Sequence, residues 1–492
     1  MALRNIVQPA TTIMATTSSP LCLRCLRRAL GPIESSSSSS SSSPAAQRAA
    51  FSTTPSLSAN PPKKKGVVAT PTSRQGRTLR LNKNKRVSNT RPPAVGERKA
   101  LRKRVVLSNS NALEVAGLKD LTTADAGTER LRSHQGQVLG LSDETVDALR
   151  ALEAFKPTQG WNFFRRPASL IREETLSLAA DLEKGQRGDT VQKVLFGERG
   201  SGKSVLQLQT LALAYLKKWV VIHIPEAKDV ANAHTSYQPV TGPNGTTYIQ
   251  PHFTAKLLEN VNKANQSLFS ELLVSQEHSL PVPLPPNATL AQLAAIGARN
   301  PAVAWPVWQA LWTELLSPSN PDTKGMKRPP VLFAVDGVDH IMRHSAYLDA
   351  EAKPIHAHDL ALVKHFVSLL SSPKSLPNGG LVLAATSESN RSSTPTLERA
   401  LMTKLDTFDD KKEQRWEPYV AYDARVQSAL ERASAQQVQG ISKDEARGIM
   451  EYYARSGMMR NTVTEGLVSE KWTLAGGGIV GQIERGSVLT RF

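Results

Sequence analysis

Four short apolar runs punctuate the chain: Val191 to Phe196, Trp219 to Ile224, Val331 to Val335 and Leu381 to Ala385. Runs this short and this continuous fit strands covered on both faces. Between them lie stretches with helical character: Ser204 to Lys217, Thr254 to Leu273, Leu290 to Ile296 and Ala304 to Leu316. Strands alternating with helices predict an α/β fold, a parallel sheet flanked by helices. Residues 226–328 are too long for a simple crossover and read as an insertion on the rim of the sheet. Upstream, Ser142-Asp-Glu-Thr145 opens a helix with an apolar stripe at Ala148, Leu149, Leu152 and Phe155, which Pro157 stops. Downstream, Ser442-Lys-Asp-Glu445 is a capping box leading through Ile449, Met450 and Tyr453 to Gly457. The C-terminal part therefore reads as mostly helical, with the Gly-rich, β-branched tail from Trp472 to Phe492 expected to form a hairpin.

Charge changes this picture at one end only. Of 61 Lys and Arg residues, 20 lie in residues 1–104, against two acids, Glu34 and Glu97. The remainder is neutral, so the net charge of +18 belongs to the first fifth of the chain. Residues 1–33 have no acid and carry Arg4, Arg24, Arg27 and Arg28, followed by the serine run Ser35 to Ser43. Arg-rich, Ser-rich and acid-poor is the composition of a mitochondrial transit peptide. Residues 61–104 add spread cations, several prolines and no aromatic residue. That suits a disordered arm neutralising RNA phosphates without base stacking; a solvated linker is the other reading. Cys22 and Cys25 both fall in the leader, so the body has neither disulfides nor thiolate metal sites. No apolar run is long enough to cross a membrane as a helix. The expected organisation is a transit peptide over 1–55, a basic extension over 56–104 and a helical or irregular segment over 105–185. A nucleotide-binding core over 186–400, with its insertion at about 226–328, and a C-terminal part over 401–492 complete it.

The motif carrying chemistry is Gly197-Glu-Arg-Gly-Ser-Gly202-Lys203-Ser204, which fits G-x-x-x-x-G-K-[ST] at every position. An apolar strand enters it and an apolar helix leaves it. Gly197, Gly200 and Gly202 let the backbone curl so that successive N–H groups, including that of Ser201, turn toward a phosphate. The following helix presents its positive end to the same anion. Lys203 would reach the outer phosphates and Ser204 would coordinate Mg²⁺. A second Mg²⁺ residue is expected at the end of another strand, and Val331-Leu-Phe-Ala-Val-Asp336 supplies one in Asp336. A capping or turn role is the alternative for Asp336. The order of the motifs resembles the ATPase branch of P-loop proteins, in which a further strand lies between these two in the sheet.

Two absences limit the chemistry. The position after Asp336 is Gly337 rather than a water-activating Glu, with Asp339 the next acid, and no Asn-Lys-x-Asp guanine signature follows the loop. Rapid turnover is therefore not indicated, and the choice between guanine and adenine stays open. Thr386, Ser387 and Asn390, where the last strand ends, are either sensors of a terminal phosphate or a plain strand terminus. The pairs His340 with His344 and His356 with His358 lack a metal motif and read as packing residues. Trp161, Phe163 and Phe164, beside Arg165 and Arg166, read as core rings rather than RNA contacts.

The phosphate loop together with Trp219-Val-Val-Ile-His-Ile-Pro225 resembles the death-associated protein 3 family, P-loop proteins of the mitochondrial small ribosomal subunit. Trp161-Asn-Phe-Phe-Arg-Arg-Pro167, the Val-Asp-Gly around Asp336 and Glu451-Tyr-Tyr-Ala-Arg-Ser-Gly457 extend the likeness over about residues 98–460. The long Ser-rich leader and Arg98 to Val115 resemble the fungal branch. The resemblance implies an AAA-like P-loop core and a place in the head of the small subunit. It also implies contacts with mitochondrial small-subunit rRNA, neighbouring mitochondrial ribosomal proteins and the large-subunit side, and a bound GTP or GDP with Mg²⁺. The alternative function is a free matrix P-loop NTPase or nucleotide-dependent switch.

Overall fold

The computed structural model describes residues 105–242, 245–318, 327–373, 376–388, 394–405 and 419–488. The chain divides into two units, 1–89 and 90–492, and every described residue belongs to the second. The transit peptide, the basic extension and Asn390 lie outside the described residues.

Five strands form the central sheet: β1 (Thr190–Phe196), β2 (Val220–Ile224), β3 (Val331–Asp336), β4 (Gly380–Ala385) and β5 (Ser434–Gln437). All are parallel, in the order β5-β1-β4-β3-β2. β4 thus lies between the strand of the glycine-rich loop and the strand ending in Asp336. Every residue of β2, β3 and β4 is buried, as their continuous apolar runs demand of strands covered on both sides.

The period of two sends alternate residues to two cores. Leu195, Val221, Leu332, Ala334, Leu381 and Leu383 pack on one face. There they meet α1 (Asp143–Ala151), α2 (Glu173–Gln186) and α3 (Lys203–Leu216). Val194, Ile222, Phe333, Val335 and Val382 face the opposite layer. That layer is built by α4 (Pro251–Ala264), α5 (Leu290–Arg299), α6 (Ala304–Leu316), α7 (Ala361–Ser371), α8 (Pro395–Leu405) and α9 (Ala424–Leu430). The stretch expected on the rim is thus no appendage: Leu258, Leu293, Trp308 and Leu311 belong to the same buried cluster as the sheet. Its length reflects the three helices α4, α5 and α6 that it lays on this face, beside α7, α8 and α9.

A third cluster joins Phe164 and Leu170 to α10 (Lys443–Arg455), α11 (Glu465–Leu474) and α12 (Val480–Ser487). Ser442 and Glu445 form the reciprocal cap that the sequence predicts at the start of α10. The tail is not a hairpin over the described residues; it is α11 and α12. Gly476, Gly477 and Gly478 have φ of 67°, 82° and 93°, and the N–H groups of Gly477 and Gly478 both donate to the Trp472 carbonyl. Glycines in the left-handed region close a helix without the Cβ penalty, which is why the run joins helices here. Among the described residues, no helix is long and apolar enough to cross a membrane.

Candidate functional site

The glycine-rich loop leaves β1 at Phe196 and enters α3 at Lys203. Gly197, Gly200 and Gly202 have φ of 147°, 83° and 96°, conformations costly for any residue with a Cβ. A Cβ on Gly197 would lie 2.4 Å from the Val438 carbonyl oxygen, so the loop is also closed in by the chain leaving β5.

Parallel register brings the other expected residues to the same edge. Ala385 of β4 lies beside Leu195 of β1 on one side and Asp336 of β3 on the other. The loop, Thr386 and Asp336 therefore emerge together at the carboxyl ends of adjacent strands, where open α/β sheets place ligands. Thr386 donates its N–H to Leu195 O at 2.9 Å, and its buried Oγ1 has no partner among the described residues. Ser387 donates its N–H to Asp339 Oδ1 at 2.8 Å.

Lys203 is 7% exposed, and its Nζ donates to the carbonyls of Gly197 at 2.7 Å and Glu198 at 2.9 Å. Burial lowers its pKa, opposed by Glu388, Asp336, Asp339 and Glu198. Ser204 is half-buried in the first turn of α3. Ser201 is 1% exposed, and its Oγ has no partner among the described residues. A buried hydroxyl without a partner calls for an explanation, and an absent ligand is one.

Two residues that the sequence did not single out complete the surroundings. Arg172 is 4% exposed. It forms a two-point ion pair with Glu174 and donates to Ser201 O at 2.7 Å and to Gln439 O at 2.9 Å. It ties the loop to the segments before α2 and after β5. Lys156 Nζ contacts Asp336 Oδ2 as an ion pair. Residues 332, 334 and 336 share the face covered by α1 to α3, and the segment following α1 carries Lys156 there. From the C-terminal side, the Gly481 N–H donates to Gly200 O at 2.9 Å.

The histidines take other places. His340 is buried with Nε2 3.6 Å from Asp339 Oδ2, while His356 Nε2 is 3.0 Å from Asp423 Oδ2. Among the described residues, no group of three or more His, Cys, Asp and Glu is placed to hold a metal. Trp161 and Phe164 are buried in core clusters.

The fold and this edge define an α/β protein with a five-stranded parallel sheet and a glycine-rich turn at its carboxyl end. The family described as mitochondrial ribosomal death-associated protein 3 matches residues 169–486. A Neurospora crassa protein, small ribosomal subunit protein mS29, is 43% identical over 419 residues, covering 84% of this chain and 87% of that protein. A Schizosaccharomyces pombe protein of the same name is 23% identical over 347 residues, 70% of this chain and 69% of its own. The chain belongs to the mitochondrial ribosomal death-associated protein 3 family.

Proposed function

We propose that the chain is a structural constituent of the mitochondrial small ribosomal subunit and acts in the mitochondrial matrix, within the ribosome. The observation that carries this is the 43% identity, spread over nearly the whole of both chains, with a protein named for that subunit. The family match over residues 169–486 likewise extends well beyond the loop motif, from the strand before α2 into α12.

Within that role, residues Gly197, Gly200, Ser201, Gly202, Lys203 and Ser204 hold the phosphates of a nucleotide, as in P-loop NTPases. Support comes from the left-handed glycines, the buried hydroxyls of Ser201 and Thr386 without partners among the described residues, and a buried lysine at the loop. Ser204 and Asp336 stand at the positions that hold Mg²⁺ in P-loop NTPases, where the ion would neutralise phosphate charge, but Asp336 is already paired with Lys156. The guanine base, GTP or GDP, follows the family resemblance. A bound nucleotide stabilises the native chain by mass action, about 4 kcal/mol at a thousand-fold excess over Kd. The basic extension, residues 56–104, contacts rRNA phosphates, and neighbouring ribosomal proteins complete its surroundings.

Sedimentation of mitochondrial lysate on a sucrose gradient, in Mg²⁺ and then in EDTA, tests the ribosomal role. Co-migration with the small subunit supports it. Migration only as a free species rejects it and favours an independent NTPase or switch. The nucleotide reading has its own test: Lys203→Ala should lower nucleotide occupancy, and unchanged occupancy removes the phosphate assignment. Deleting residues 61–104 should weaken RNA association and flatten its salt dependence; an unchanged slope rejects that contact.

A further inference from the structure

The expected metal position holds an internal ion pair. Asp336 is 2% exposed, and its Oδ2 is met by the ammonium of Lys156, a residue 180 positions away in sequence. Lys156 is no roaming surface lysine. Its backbone N–H donates to Gln159 Oε1 at 3.0 Å, and the same oxygen accepts the Trp161 indole N–H at 2.6 Å. On either side, Phe155 and Trp161 are buried, with ring centroids 5.2 Å apart and edge to face. Two anchored rings and a shared amide fix the Lys156 backbone above the Asp336 carboxylate. The lysine of the loop is engaged elsewhere, its ammonium donating to the Gly197 and Glu198 carbonyls.

This arrangement matters for charge. A buried carboxylate needs a compensating cation, and Lys156 already supplies one. A divalent ion on the same carboxylate would sit against a fixed ammonium, and like charges so close repel. Because the Lys156–Asp336 pair is neutral overall, the carboxylate adds no net negative charge beside the loop that a metal ion would have to offset.

We propose that Lys156 is a built-in cation of the nucleotide site, competing with Mg²⁺ for Asp336, so that a nucleoside diphosphate is held with little dependence on Mg²⁺. This rests on the nucleotide reading above and adds a residue outside the loop motif. It also assigns a purpose to the segment between α1 and α2: it carries a cation to the site.

The experiment titrates the purified full chain with a fluorescent GDP analogue, in excess Mg²⁺ and in EDTA, for the unaltered protein, Lys156→Gln and Lys203→Ala. Gln can still hydrogen-bond Asp336 but carries no charge. The unaltered chain should change its Kd by less than about threefold between the two conditions, and Lys156→Gln by more than about tenfold. An unaltered chain that loses more than about tenfold in EDTA overturns the proposal without any variant. Equal ratios in the unaltered chain and Lys156→Gln, with binding abolished by Lys203→Ala, overturn the Lys156 assignment and leave the nucleotide site standing. Absence of binding by the unaltered chain overturns the nucleotide reading itself, and this proposal with it.

Discussion

The helical layer around Glu314 and the carboxyl edge of the sheet both bury paired charges, but only the edge also buries hydroxyls without partners among the described residues. In the helical layer, Glu314 is fully buried, and its two oxygens accept from Ser275 N–H, Ser275 Oγ, Gln276 N–H, His278 Nε2 and Arg328 Nη2, at 2.6–3.0 Å. These bonds hold its pKa below the usual carboxylate range despite burial. At the sheet edge, Ser201 and Thr386 keep buried hydroxyls without partners among the described residues, beside a buried lysine and buried Asp336 and Asp339. Polar groups that satisfy one another hold a loop in place. Hydroxyls left over where a glycine turn opens are the feature on which the proposed nucleotide site rests.

Breaking the satisfied knot should give the largest effect. Glu314→Ala removes the acceptor for five donors and leaves Arg328 without its carboxylate. Removing one partner of a buried pair costs about 3–5 kcal/mol, so urea unfolding should show a loss of that order. Loss under about 1 kcal/mol would mean the knot is less closed than its distances imply.

Arg172→Ala should rank next. Arg172 belongs to the site edge but behaves like the knot, because its donors are used on Glu174, Ser201 O and Gln439 O. Stranding those buried acceptors should cost about 2–3 kcal/mol. The comparison sharpens if proteolysis of the variant begins in the C-terminal part, since Arg172 is one of its ties to the loop. Cleavage elsewhere first would argue that Gly481 and the third core hold that part without it.

How much of this was legible in sequence depends on distance along the chain. The strands β1 to β4 were readable because burial on both faces leaves a continuous apolar run. The loop was readable because strand, turn and helix are contiguous, so its chemistry is local. Strand β5 was not: Ser434-Ala-Gln-Gln437 is polar and lies at the sheet edge, where one side needs no apolar cover. Lys156 and Arg172 left no signal either, because their partners lie 180 residues away for the first, and 29 and 267 residues away for the second. The tail was misread because a run of glycines permits either a hairpin turn or a helix closure. Backbone hydrogen bonds of Gly478, accepting from Ile441 N–H and donating to Trp472 O, select the second more than local pattern does.

A smaller effect concerns protons in the helical layer and nearby. His223, His358 and His365 are held neutral by burial, with pKa values of about 4 against 6.5 when free. The unfolded chain therefore binds more protons than the native chain between those values, and stability falls as pH drops from about 6.5 toward about 4. His365 Nδ1 accepts the Trp308 indole N–H at 2.9 Å, which requires that nitrogen unprotonated. His365→Asn supplies an amide oxygen to the same indole and cannot titrate. Its stability should vary with pH by about one proton less across that window. An unchanged slope would show that His365 does not carry its share.

The smallest effect is the one that decides what the leftover polarity is for. Ser201→Ala removes a hydroxyl that has no partner among the described residues, so the nucleotide-free chain should unfold within about 0.5 kcal/mol of the unaltered one. Deleting an unsatisfied buried oxygen can even stabilise slightly, since its desolvation is no longer uncompensated. If the hydroxyl serves a phosphate, the cost appears only with ligand: affinity for a guanine nucleotide should fall about five- to tenfold, near 1 kcal/mol. Glu314→Ala should show the reverse signature, a large loss without ligand and the same loss with it. A Ser201→Ala chain that loses stability before any nucleotide is added would place Ser201 with the knot, as architecture. One that loses affinity alone would separate the two ends of the fold by function.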